Sequence, residues 1–144
     1  MTKIYLTRHG ETVWNRQHRF QGHKNSELTD KGILAAELLA DRIEDIELDY
    51  IVSSPLLRAY NTAEIVRGNK DIEIIKLNGL KEINLGDFEG MSYADIKKEH
   101  TELLTEIEKD PFNNRYPNGE NLQEFYKRVV KAFLEVIDKH RNKT

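Results

Sequence analysis

Arg8 and His9 stand side by side near the start of the chain, followed by Gly10-Glu11-Thr12, and Arg58 lies far downstream. A neutral imidazole is a covalent nucleophile that splits one hard displacement into two easier steps. A guanidinium presents paired N–H donors that match the oxygens of a phosphoryl group. Transfer of that group depends on positioning and on stabilising spread negative charge. One histidine with two arginines therefore suits phosphate handling. Taken singly, each residue also has a plainer role: Arg8 as an ion-pair partner, His9 as a satisfied strand-end histidine, Arg58 as a solvated helix charge.

The elements that must position these residues follow from periodicity and punctuation. Lys3 to Thr7 is a short run of mostly β-branched, aromatic and aliphatic residues, expected as a strand ending at Arg8-His9. Val13 to Ser26 is polar and contains Gln21-Gly22, expected as a short helical turn and then a loop. Thr29 is an N-cap residue, and Ile33, Ala36, Ala40 and Ile43 recur after it at helical spacing. Tyr50 to Ser53 reads as a second strand, and Ser54-Pro55 as a helix start with proline at the first helical position. That helix stops at Gly68-Asn69, and Ile72 to Leu77 reads as a third strand.

Leu80 to Gly90 is a loop rich in glycine and acids. Ser92 and Asp95 form a capping-box pattern that opens a helical region to about Lys109. Asp110 to Gly119 is a loop. A last helix runs from about Asn121 to Lys139, with Leu122, Phe125, Val129, Phe133 and Val136 on a face expected in the core. Strands alternating with helices predict an α/β fold with a parallel sheet flanked by helices. Ligands of such folds collect outside the carboxyl ends of strands. Arg8-His9 follows the first strand, and Ser53-Ser54 with the helix carrying Arg58 follows the second, so the two segments should meet at one sheet edge.

Composition narrows the function classes. The chain has 144 residues, enough for one domain over 1–144. Its 22 basic and 25 acidic residues give a net charge of −3, which argues against a broad nucleic-acid footprint. There are no cysteines, so thiolate chemistry and disulfides are excluded. No apolar stretch has the length of a membrane span or a signal-peptide core, so no membrane partner is expected and a cytoplasmic location is. No His/acid spacing suggests a metal, and no cofactor is expected. His18, His23, His100 and His140 are expected on polar surfaces and are assigned no chemistry.

Arg8-His9-Gly10-Glu11-Thr12 resembles the signature of the histidine phosphatase superfamily, also called the phosphoglycerate mutase-like family. Further matches follow in the family's order: Asn15, Gln21-Gly22, Leu28 to Gly32, Ser53 to Ala59, Glu82, and Gly86 to Gly90. The resemblance covers essentially the whole chain. It implies that His9 attacks phosphorus and becomes a phosphohistidine, that Arg8 and Arg58 hold phosphoryl oxygens, and that Asn15 adds a hydrogen bond. It also implies that Glu82 protonates the leaving alkoxide, with Glu11, Asp87 and Glu89 as nearby alternatives. Gln21-Gly22 divides evenly between a substrate contact and a plain turn.

The chain also departs from that family. Its members carry a second histidine after a strand that follows the last helix and lies in the middle of the sheet. Nothing here matches: His140 has no apolar strand before it, and only Arg141 to Thr144 follow. A phosphoglycerate mutase-like sheet lacking its C-terminal strands, a central one included, is expected. It would arise in a C-terminally incomplete chain, in a natural short form, or in a homodimer that completes the sheet by swapping or edge pairing. Asn121 also stands where the family often has serine.

The leading expectation is hydrolysis of a small phosphomonoester through phosphorylated His9. The short Asp110 to Asn121 loop favours a phosphatase over a mutase, because family mutases tend to have longer chains with extra closing segments. A phosphate-binding protein impaired in catalysis is the alternative.

Overall fold

A computed structural model describes residues 1–144. Each element starts where the local sequence supplies partners for its unpaired N–H groups. Helix α1 (Val13–Arg16) is closed by a reciprocal cap in which Thr12 and Asn15 satisfy each other's backbone. Helix α2 (Asp30–Arg42) begins after Thr29, whose hydroxyl accepts the Gly32 N–H at 3.1 Å. Strand β1 (Ile51–Ser53) leads to α3 (Leu57–Arg67), which ends at Gly68 with φ +55°. Strand β2 (Ile74–Lys76) follows, then 3₁₀ turns at Asn78–Leu80 and Gly86–Phe88. Helices α4 (Tyr93–Glu99), α5 (Thr101–Lys109) and α6 (Leu122–Lys139) complete the chain.

β1 and β2 pair in parallel, with Ile51 opposite Ile74 and Ser53 opposite Lys76. α2 packs on α3, and α3 on both strands. α6 lies against the Asn78–Leu80 turn, where Gly79 is needed because a side chain there would meet Ala132. A closed core of Phe88, Ile96, Leu104 and Ile107, ringed by Phe20, Met91, Leu103 and Tyr116, joins α4 and α5 to the loops beside α1.

Four expectations need correction. Lys3 to Thr7 is not a strand, because strandness requires a neighbour. Its one backbone hydrogen bond runs from the Lys3 N–H to the Lys143 carbonyl at 3.0 Å, and Leu6 stays 87% exposed. The third helix starts at Leu57 rather than Pro55; Ser54 spends its hydroxyl on the Leu56 N–H at 3.3 Å, ahead of the helix. The 92–109 region is two helices, broken where His100 leaves helical geometry (φ −136°, ψ 38°). The α6 stripe does not enter a closed core. Phe125, Val129, Phe133 and Val136 line an open groove of about 590 Å³, together with residues 2–9, Val52 and Leu39. Residues 3–7 and β1 both line that groove, and the sheet stops at two strands.

Candidate functional site

Arg8, His9, Arg58 and Glu82 all line one end of this groove. The first two come from the end of the N-terminal segment, Arg58 from the first turn of α3, and Glu82 from the loop after β2. Arg58 and Glu82 follow β1 and β2, at whose carboxyl ends a parallel α/β layout gathers its ligands.

His9 is half-buried, and its Nδ1 lies 2.7 Å from the Gly10 carbonyl. A carbonyl can only accept, so Nδ1 carries the proton and Nε2 keeps its lone pair. Arg58 donates Nε–H to that Nε2 at 3.3 Å. Burial pushes the His9 pKa below the ordinary imidazole value, and the charges of Arg58 and Arg8 add to this. The Gly10 carbonyl and Glu82 act the other way without reversing it. The resting ring is therefore a neutral imidazole with Nε2 available.

Arg58 is only 2% exposed, yet no carboxylate touches it. Its remaining bonds go to backbone carbonyls: one terminal nitrogen to Lys24 at 3.1 Å, the other to Gly22 at 2.9 Å. Thr62, one turn along α3, donates to the Arg58 carbonyl at 2.7 Å and accepts the Gly10 N–H at 3.0 Å, tying His9's segment to Arg58's helix. Thr62 escaped the sequence reading because a helical threonine has no distinguishing pattern.

The other expected site residues divide. The Glu82 carboxylate accepts the Ile83 N–H at 2.9 Å, while its backbone carbonyl accepts from Arg128 and lies 2.8 Å from the His23 ring. His23 is thus half-buried against the site rather than on a polar surface. The alternative acids point elsewhere. Glu11 engages Thr29 and Lys31, Asp87 accepts from Asn118, and Glu89 is buried with its carboxylate on backbone N–H groups. Asn15 and Gln21 both bond Thr12 within the α1 turn and lie outside the groove lining. Gly22 contributes a carbonyl to Arg58 rather than a surface.

Arg128 of α6 is a second residue the sequence concealed. It bonds the carbonyls of Gly79, Lys81 and Glu82 and pairs with Glu120 at 2.7 Å, fixing the loop that carries Glu82. In sequence it is one cation among the solvated residues of an amphipathic helix.

Beyond this geometry, the profile of the histidine phosphatase superfamily (branch 1) matches residues 4–144. The chain belongs to that superfamily. Among curated histidine phosphatase relatives, it is 37% identical over 145 residues to phosphoserine phosphatase 1 of Hydrogenobacter thermophilus, covering 100% of this chain and 68% of that one. It is 36% identical over 138 residues to the Escherichia coli protein named probable phosphoglycerate mutase GpmB, covering 96% and 64%. Among solved structures, YhfR of Bacillus stearothermophilus superposes with a TM-score of 0.87 at 38% identity, covering 94% of this chain and 67% of that one. The alpha-ribazole phosphatase of Shigella flexneri superposes at 0.89 with 29% identity, covering 94% and 67%. The chain thus spans about two thirds of the length of these histidine phosphatase relatives. No helix in it is long and apolar enough to cross a membrane.

Proposed function

We propose that this chain handles a small phosphomonoester at His9, with Nε2 taking the phosphoryl group. The observation that carries the reading is the Arg58 Nε–H to His9 Nε2 hydrogen bond, which sets an unprotonated ring nitrogen beside a guanidinium. The Nε2 lone pair attacks phosphorus, and the P–O bond breaks with its electrons leaving on the alkoxide. Glu82, as the carboxylic acid, gives that alkoxide its proton. Arg8 and Arg58 hold the phosphoryl oxygens, and the Gly10 carbonyl supports the charge that appears on the ring. Water then attacks phosphorus, the P–N bond breaks back onto Nε2, and Glu82 recovers its proton from the water. Alcohol and inorganic phosphate leave.

Hydrolysis is favoured over mutase chemistry because the Asp110 to Asn121 loop is short, whereas mutases of the family tend to carry extra closing segments. The experiment is aryl phosphate hydrolysis by the chain beside His9→Ala, with 3-phosphoglycerate and a bisphosphate primer as a parallel substrate. Hydrolysis lost in His9→Ala supports the reading. Steady 2-phosphoglycerate formation without phosphate release sinks the phosphatase branch.

A second reading, phosphate binding without turnover, rests on the ring of His140, which is tilted 50° against Tyr50 with centroids 4.5 Å apart. His140 lines the same groove as His9, but its ring is engaged with Tyr50. Vanadate raising the melting temperature while turnover stays at background would favour it.

We further propose that residues 1–144 are a C-terminally incomplete domain whose groove takes another strand, from a longer form of the chain or from a second copy. Edge pairing between copies would appear as a dimer in sedimentation. A monomer at all concentrations would remove that option.

A further inference from the structure

Glu89 has been given no task by the chemistry above, yet it is only 7% exposed and fully satisfied. One carboxylate oxygen accepts the N–H of His23 at 2.7 Å and of Leu85 at 3.1 Å, and the other accepts the N–H of Lys24 at 3.0 Å. The Glu89 carbonyl accepts the Lys24 ammonium at 2.9 Å. The 22–24 loop is therefore wrapped on one residue. Gly22 has φ +52°, and a side chain there would strike the Glu89 carboxylate, so the wrapping requires glycine twice over.

The Gly22 carbonyl and the His23 N–H belong to one peptide unit, and a trans peptide points them in opposite directions. The carbonyl receives a terminal nitrogen of Arg58 at 2.9 Å, and the N–H is received by Glu89 at 2.7 Å. A single peptide plane thus sits between a buried cation and a buried anion, its dipole aligned with both. The same guanidinium donates Nε–H to His9 Nε2.

We infer that Glu89 is a positioning residue for the phosphate site: acting through the Gly22–His23 peptide, it fixes the Arg58 guanidinium against His9 Nε2. The inference deepens the reading of His9 and Arg58 as phosphate-handling residues. The buried guanidinium has no carboxylate in contact; Glu82 and, one peptide away, Glu89 supply the compensating charge. Its other bond, to Leu85, ties the same anchor to the loop that carries Glu82.

The test reads the His9 ring of the ligand-free 144-residue chain by nitrogen-15 NMR, so it works whether or not the chain turns over a substrate. Glu89→Gln is nearly isosteric but removes the charge and turns an NH₂ toward a backbone N–H. In a folded Glu89→Gln protein, the His9 midpoint is expected to rise toward that of a free imidazole as Arg58 leaves Nε2. Glu89→Asp, which keeps the charge on a shorter arm, should restore part of the difference. A His9 midpoint in folded Glu89→Gln equal to the parent's overturns the inference. If Glu89→Gln does not fold, Glu89→Asp decides: its shorter arm should raise the His9 midpoint part of the way, and an unmoved His9 midpoint overturns the inference. Absence of hydrolysis in the parent would count against the proposed function while leaving both titrations readable.

Discussion

Arg58 and His9 are joined by a 3.3 Å hydrogen bond from a guanidinium Nε–H to the unprotonated Nε2 of the ring. The contact spans 49 positions of sequence and two elements. It orients the ring from one side while the Gly10 carbonyl orients it from the other. A phosphoryl group arriving at Nε2 would meet donors already in place, without reorganisation at the moment of reaction.

Replacing Arg58 with lysine should therefore cost more than loss of reach suggests. Lysine offers a point charge in place of a fork and cannot serve Gly22, Lys24 and His9 together. Vanadate-induced stabilisation of the folded chain, read by calorimetry, should fall by about tenfold in apparent affinity or more. Unchanged affinity would separate Arg58 from anion binding.

The lowered His9 pKa sets a pH dependence whose sign can be worked out. Burial, aided by Arg58 and Arg8, makes the folded ring bind its proton less readily than the unfolded chain does. Stability is then full above the ordinary imidazole value of about 6.5 and declines as pH falls through it. Urea unfolding between about pH 8 and 5 should show this slope, and His9→Gln should flatten it.

A second acid-sensitive contact is Glu120 with Arg128. Burial opposes ionisation of Glu120, but the Arg128 hydrogen bonds and the Asn84 N–H outweigh it, holding the carboxyl below its ordinary value. This contribution is present above the usual carboxylate range and is lost as pH falls through the lowered value. Arg128→Met leaves three loop carbonyls and Glu120 without their donor, at a cost of about 2 kcal/mol for a pair this partly exposed. Chemical denaturation measures it, and faster exchange of amides around Glu82 should accompany it.

The two sides of the molecule should respond differently to truncation. Ile96 is fully buried in the closed core, and Ile96→Ala should cost about 3 kcal/mol. Leu6 is 87% exposed beside the groove, and Leu6→Ser should change stability by less than about 0.5 kcal/mol. The exposed groove should also bind an apolar dye, measurable as fluorescence enhancement in the native state.

The meeting of Arg8-His9 with Arg58 was legible from the alternation of strand-like and helical segments, which brings both to one edge of the α/β layout even though residues 3–7 form no strand. The caps at Thr29 and Ser92 were legible because capping is local. Two kinds of feature were not. The ligands of Arg58 are backbone carbonyls, which every residue carries, so no residue type announced them. Residues 3–7 have strand composition, but pairing is decided by what lies alongside, and the groove lies there. The α6 stripe was correctly apolar in sequence, yet its burial depends on a covering element that periodicity cannot see.

The most direct test is a rapid acid-free quench of the chain with a reactive phosphoryl donor, followed by intact-mass analysis and phosphorus-31 NMR. The expected result is one acid-labile phosphoryl group on His9 Nε2, absent in His9→Ala. A phosphoryl group on another residue, or the same adduct in His9→Ala, would contradict the assignment of His9 as the acceptor.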